Sequence, residues 1–199
     1  MLRLSLTLWA LVLVALLAVP TALGVRVHVR VEGKTTTIFG ASEPRLESST
    51  SALDALEAAS LAGEFYYHVQ RASFGAYVDQ IGRFVAGGTN GWVFKVNGVS
   101  PPVGAEQVQL REGDRVLWYW AQFGIVPGGP PTLLLQRQAK GCYRVLAQED
   151  SGARRPATGA VLVVDGRRIR TKAARACPGA HRGLVRAQLA GAVRSNALA

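Results

Sequence analysis

The chain has 199 residues, of which 49% are hydrophobic and 18% charged, with 23 Lys and Arg against 13 Asp and Glu and a formal net charge of +10. That length holds one or two domains with a core of ordinary size. Its two cysteines lie too far apart for the closely spaced pairs of a structural zinc site.

The first 24 residues read as a secretory signal peptide. Arg3 precedes an uncharged, largely apolar run from Leu4 to Val19, and the segment closes on Pro20 and the small residues that precede a cut after Gly24. The run is short for a bilayer span, with an uncleaved signal anchor as the alternative. No cysteine follows it to carry a lipid. The mature protein is therefore expected to be secreted or associated with the cell envelope, with no stable membrane span once the signal is removed.

From Val25 the pattern changes. Val25, Val27, Val29 and Val31 alternate with Arg26, His28, Arg30 and Glu32, which predicts a strand with one face buried, and Glu32-Gly33-Lys34 turns it into a second strand over residues 35–39. Ser49 and Thr50 are candidate caps of a short amphipathic helix carrying Leu53, Leu56 and Ala59 at helical spacing. FYYHV, GWVFKV and DRVLWYWAQF then read as further strands, with Asn97-Gly98 as a turn between the last two. A hairpin, one helix and more strands make a mainly β or α+β fold with the helix on one face of a sheet.

The proline- and glycine-rich segment 127–131 divides the mature chain. Residues 25–131 hold nine Lys and Arg against ten Asp and Glu, a net of −1, whereas residues 132–199 hold thirteen against three, a net of +10. The second part runs through TLLLQ, CYRVLAQEDSG, PATGAVLVVDGRRIRT and RGLVRAQLAGAVRSNALA, short strands between Gly, Asp and Pro turns that suggest a small β-sandwich. Cys142 and Cys177 are expected to form a disulfide, since an even count in an exported chain reads first as a bridge.

In residues 25–126, V-x-V-x-V-E-G, SALDAL, Phe74-Gly75-Ala76-Tyr77 with Ile81, GWVFKVNG and LREGDRVLWYW resemble the transcobalamin-like C-terminal domain of bacterial secreted proteins. The resemblance implies a ubiquitin-like β-grasp fold and a non-catalytic module. In the vertebrate cobalamin carriers such a domain closes over the corrinoid opposite a large helical barrel, which this chain lacks. Residues 132–199, through PATGAVLVVDG, Pro178-Gly179 and the closing VRAQLAGAVRS, resemble the immunoglobulin-like repeats of bacterial surface proteins, close to carboxypeptidase-regulatory-like sandwiches. Those repeats serve as spacers or adhesive modules, so this likeness implies no active site either.

The residues themselves carry little chemistry. No serine stands in a nucleophile motif, Asp54 and Glu57 face solvent one helical turn apart, and the glycine pairs are not followed by the Lys-Ser/Thr of a phosphate loop. The three histidines are dispersed, so neither a metal site nor a cofactor is expected. Trp92 and Phe94 share a face and are expected to pack beneath the helix. Trp118 and Trp120 share one face of their strand while Leu117 and Tyr119 share the other, so one face is either covered by the neighbouring domain or exposed as a binding patch. Trp118 and Trp120 are the candidate ligand contacts. Arg154, Arg155, Arg167, Arg168 and Arg170 are candidate contacts to an anionic surface; nucleic acid is not the expected partner, because the cluster lacks interleaved aromatics and the protein is exported. The expected function is an extracellular binding or surface-association module whose partner is a protein or a cell-wall polymer, with a carrier of a small flat ligand such as a corrinoid as the alternative.

Overall fold

The computed structural model describes residues 24–48, 50–73, 75–124 and 129–199. The signal peptide, Ser49 as a candidate cap and the first residues of the expected linker lie outside the described residues. Strand β1 (Val25–Glu32) turns into β2 (Thr37–Phe39), and β3 (Arg45–Ser48) returns antiparallel along the first half of β1. Helix α1 (Ala52–Gly63) follows, then β4 (Tyr67–Ala72), β5 (Gly75–Ile81) and β6 (Phe84–Val85) as a small antiparallel sheet of their own. Strands β7 (Asn90–Val96) and β8 (Arg115–Gln122) complete the main sheet, whose order is β2-β1-β8-β7 with β1 and β8 parallel at its centre. This is the mainly β, α+β architecture that the sequence predicts.

The helix starts one residue later than expected. Ser51 is the N-cap: its Oγ accepts from the Asp54 amide at 3.1 Å while Asp54 Oδ2 accepts from the Ser51 amide at 2.9 Å, a reciprocal capping box. Burial pushes the Asp54 carboxyl upward, but the amides of Ser51 and Thr50 outweigh it and hold the group below its usual value. The helix ends where Glu64 takes a left-handed conformation, φ 50°. Its Ala52, Ala55, Leu56 and Ala59 pack on Val27, Val29 and Val31, the alternating face of β1. Each fully buried leucine or valine there contributes about 1.5–3 kcal/mol.

Beyond residue 131 the chain forms β9 (Thr132–Gln138), β10 (Cys142–Gln148), β11 (Arg154–Pro156), β12 (Val161–Val164), β13 (Arg167–Arg170), β14 (Arg175–Ala176), β15 (Val185–Gln188) and β16 (Ala197–Leu198). Strands β9, β10, β11 and β14 make one sheet, and β13, β12, β15 and β16 another. Leu135, Tyr143 and Val145 from the first meet Leu162, Val164 and Val185 from the second in a dry core. Cys142 and Cys177 are bonded across 35 residues of sequence. Among the described residues, no sheet mixes strands from the two sides of segment 127–131.

Candidate functional site

The register of β7 against β8 decides what the tryptophans do. Trp92 lies opposite Trp120 and Phe94 opposite Trp118, and residues paired across antiparallel strands point to the same face. All four aromatics therefore stand on the helix side of the sheet. Trp92 is 3% exposed and its Nε1 donates to Phe84 O at 2.9 Å; Trp118 is 2% exposed and its Nε1 donates to Ala52 O at 3.2 Å. Trp118 stacks on Phe94 at 5.0 Å, and Trp120 meets Trp92 edge-on at 5.5 Å. This corrects the expectation that Trp118 and Trp120 together contact a ligand. Trp118 is a core residue fixed at the start of the helix, and only the partly exposed Trp120 reaches a surface hollow.

The opposite face of the sheet is covered by the second unit, the other outcome that the sequence left open. Leu117, Tyr119 and Ala121 of β8 pack with Val93 and with Val193 from the far end of the chain. Two polar clamps flank this apolar patch. In one, Lys95 of β7 is fully buried; its ammonium donates to Gln148 O at 3.1 Å and lies 3.2 Å from Asp150 Oδ1. Burial pulls the Lys95 amine below its usual range, with Asp150 opposing the shift. Asp150 in turn accepts from the Gly129 amide at 2.9 Å and from Ser100 Oγ at 3.2 Å. Burial raises its carboxyl, yet these donors and Lys95 bring it below the ordinary carboxylate value.

In the other clamp, Glu32 at the end of β1 is sealed from water. It accepts from Arg186, from Arg194 Nε at 3.1 Å and from Thr37 Oγ1 at 3.1 Å, with Arg30 Nη1 at 3.3 Å. Arg30 donates onward to Arg194 O at 2.6 Å, and Arg194 to Gly33 O at 2.7 Å. Arg30 and Glu32 occupy the polar positions of the alternating first strand, which sequence alone assigns to solvent. They are buried because the second unit closes over them. Nothing local signals that, and Lys95 likewise sits at an alternating position of its strand.

Where the two units part, a cavity of about 560 Å³ opens. Trp120 and Gln122 from β8, the Pro130–Pro131 step and the side chains of Lys34, Arg155 and Arg194 help to line it. Residues 129–131, the described part of the expected linker, thus form a wall of the cleft, with the Gly129 amide pinned to Asp150.

The five candidate arginines are exposed on strands of two different sheets, Arg154 and Arg155 on β11 and Arg167, Arg168 and Arg170 on β13. Arg155 pairs with Glu149 at 2.9 Å, Arg167 donates to the carbonyls of Pro178 and Ala180, and Arg168 donates to Gln188 Oε1 at 3.1 Å. Arg154 and Arg170 form no ion pair among the described residues. The histidines are engaged separately: His28 with Glu43 O, His68 with Asp79, and His181 with Tyr143 and Gly183 O. Among the described residues, no group of three or more His, Cys, Asp or Glu is placed to hold a metal ion, and no helix is long and apolar enough to cross a membrane.

Against this geometry, comparison with known proteins gives a family without an assigned role. The family model described as a domain of unknown function, DUF4430, matches residues 49–122, from just before the cap of α1 to the end of β8. The match takes in Trp92, Lys95, Trp118 and Trp120 but neither β1 nor the second unit. No curated protein matches the chain. Among solved structures, a 1.30 Å crystal structure of a Ruminococcus gnavus protein, described provisionally as metal-binding, is similar over 50% of this chain and 99% of its own, with 13% identity and a TM-score of 0.41.

Proposed function

We propose that the chain is an exported, non-catalytic binding module of the cell envelope whose ligand site is the cleft between its two units. The observation that carries this reading is the exposure of Trp120. Trp92 and Trp118 are buried on the same face, while Trp120 lines a hollow of about 560 Å³ to which both units contribute. A concave site with one aromatic wall and a few polar groups is the usual form of a small ligand site. The parallel β1–β8 pair under a single helix is compatible with the transcobalamin-like β-grasp reading, and the two-sheet second unit with the immunoglobulin-like one. In this reading the second unit supplies the other wall of the site, and a flat ligand such as a corrinoid is one class that the cleft would admit.

The test is tryptophan fluorescence of the exported protein titrated with soluble cell-wall glycan fragments and with cobalamin. Binding of either that changes the emission and is lost in a folded Trp120→Ala variant supports the cleft. If neither binds, or if Trp120→Ala binds as well as the parent, the reading fails. Surface association through Arg154 and Arg170 is the second reading, favoured by their exposure without ion-pair partners among the described residues. Retention on an anionic wall polymer that survives Trp120→Ala but is lost in Arg154→Ala/Arg170→Ala would select it.

A further inference from the structure

The cleft does not end at Lys34. A second hollow of about 450 Å³ adjoins it, lined among others by Thr35, Arg168, Gln188 and Ala190, and the two share Lys34, Ala192 and Arg194. Together they form one groove that runs from Trp120 across the junction of the units to β13.

Charge along this groove is one-sided. Lys34, Arg155, Arg168 and Arg194 line it, with Glu149 as the one acidic side chain among the described residues. Two of the cations are already paired, Arg155 with Glu149 at 2.9 Å and Arg194 with the buried Glu32, which it shares with Arg186 and Arg30, at 3.0 Å. The other two are not. Lys34 is exposed and forms no ion pair among the described residues, and the guanidinium of Arg168 meets only the neutral amide of Gln188. The groove therefore has an aromatic and proline-walled end with the amides of Asn90 and Gln122, and an end with two uncompensated positive charges.

Building on the cleft reading above, we propose that this groove holds a linear anionic glycan. A sugar ring lies against Trp120 and Pro130–Pro131, and acidic groups further along the chain meet Lys34 and Arg168. Trp120 offers an apolar face to ring carbons, while the guanidinium fork and the ammonium favour carboxylate or phosphate oxygens. A compact anion reaches the charged end alone and a neutral glycan the aromatic end alone. A chain that spans both gains the effective concentration of two linked subsites.

The experiment uses the full exported chain and three probes: alginate oligomers of increasing length, neutral dextran oligomers of matched length, and tripolyphosphate. Affinity for alginate is expected to rise about tenfold or more as the oligomer becomes long enough to reach both ends, a gain typical of linked sites. Dextran and tripolyphosphate are expected to stay about tenfold weaker than the longest alginate. Charge reversal in the exposed turn, Lys34→Glu, and the exposed Ala190→Glu are each expected to lower alginate affinity about tenfold without moving the melting temperature. Affinity independent of length, or unchanged in Lys34→Glu, overturns the proposal. If wall fragments or cobalamin still perturb Trp120 under those conditions, the cleft stands and only the extended groove falls. Tripolyphosphate as tight as the longest alginate would also overturn the proposal, by assigning the charged end to a compact phosphate. If none of the three probes binds and neither wall fragments nor cobalamin perturbs Trp120, the groove and the cleft fall together.

Discussion

Lys95 Nζ and Asp150 Oδ1 lie 3.2 Å apart across the seam between the two units, the lysine side chain wholly buried and the aspartate 36% exposed. The ammonium gives up its hydration for one carboxylate, the Gln148 carbonyl and the ring of Tyr119, over which it sits at 5.7 Å. The pair joins the units at one edge of their contact, as Glu32 with Arg186 and Arg194 does at the other.

The first prediction concerns pH. Asp150 titrates below its unfolded value near 3.9, so its contribution is complete above that value and is lost as the pH falls through the folded value. Lys95 is shifted down, so the native state releases its proton more readily than the unfolded chain, and its charging penalty eases as the pH rises toward about 10.4. Asp150→Asn is expected to lose about 1–2 kcal/mol at neutral pH, a figure discounted for the exposure of the carboxylate, and to flatten the acid limb of the stability curve. Urea unfolding at a series of pH values measures this. An acid limb as steep as the parent's would remove Asp150 from the account.

Glu32 is the anion shared by Arg186, Arg194 and Arg30. Glu32→Gln leaves the half-buried Arg186 and Arg194 without their counter-charge while Arg30 keeps Glu43 at 3.2 Å, and the expected cost is about 3 kcal/mol, the lower end for breaking a buried pair. Replacing Glu32 and Arg186 together by Met is expected to recover part of that loss, because one ion and one partner leave at once. Denaturant midpoints of the single and double variants decide between a pair that matters by its charge and one that matters only by its volume.

The tryptophans are expected to rank by burial. Trp92→Ala and Trp118→Ala each remove a side chain almost sealed from water, with an expected loss of about 3–5 kcal/mol. Trp120→Ala, at the mouth of the cleft, is expected to cost less than either. Thermal melts of the three variants give the order. A Trp118→Ala protein with an unchanged midpoint would return that residue to the surface.

That ranking differs from what the strand pattern alone supports, and the difference shows where sequence reading reaches its limit. The valine face of β1, the helix above it and the pairing of Cys142 with Cys177 all follow from periodicity, caps and composition. The ambiguity of β8, apolar on both faces, was also visible. What resolves it is the register Trp92 opposite Trp120, a non-local quantity. Arg30 and Glu32 look like the wet side of an amphipathic strand because their cover, Arg186 and Arg194, comes from more than 150 residues away. The cleft was illegible for the same reason: Lys34, Trp120 and Arg194 share no local motif.

The disulfide supplies the next test. Cys142 and Cys177 close a loop of 35 residues in sequence, and removing the bridge is expected to lower stability by about 3–4 kcal/mol on the chain-entropy estimate. Labelling of the denatured, unreduced protein is expected to find no free thiol, and the melting temperature is expected to drop on reduction. Quantitative labelling of both cysteines would contradict the bridge.

The Asn97-Gly98 turn carries the last prediction. Gly98 adopts φ +85°, and a Cβ placed there runs into the side chain of Gln148 in the second unit. Gly98→Ala is expected to cost about 1–3 kcal/mol, from the left-handed backbone and the displaced glutamine together. Gln148→Ala is expected to relieve the second part but not the first. An equal loss of stability from Gly98→Ala in both backgrounds would show that the turn does not touch its neighbour.

Because the central strands β1 and β8 serve as floor for the helix on one side and for the second unit on the other, neither unit has a finished surface of its own. Excision at segment 127–131 would leave Leu117, Tyr119 and Lys95 facing water on one fragment and Val193, Arg186 and Arg194 on the other. For gene shuffling, the cassette is therefore the pair. A recombination event that transplants residues 25–126 alone would deliver an aggregation-prone slab, and a chain that set this unit beside another neighbour would need a different set of side chains on the back of β8 and β1.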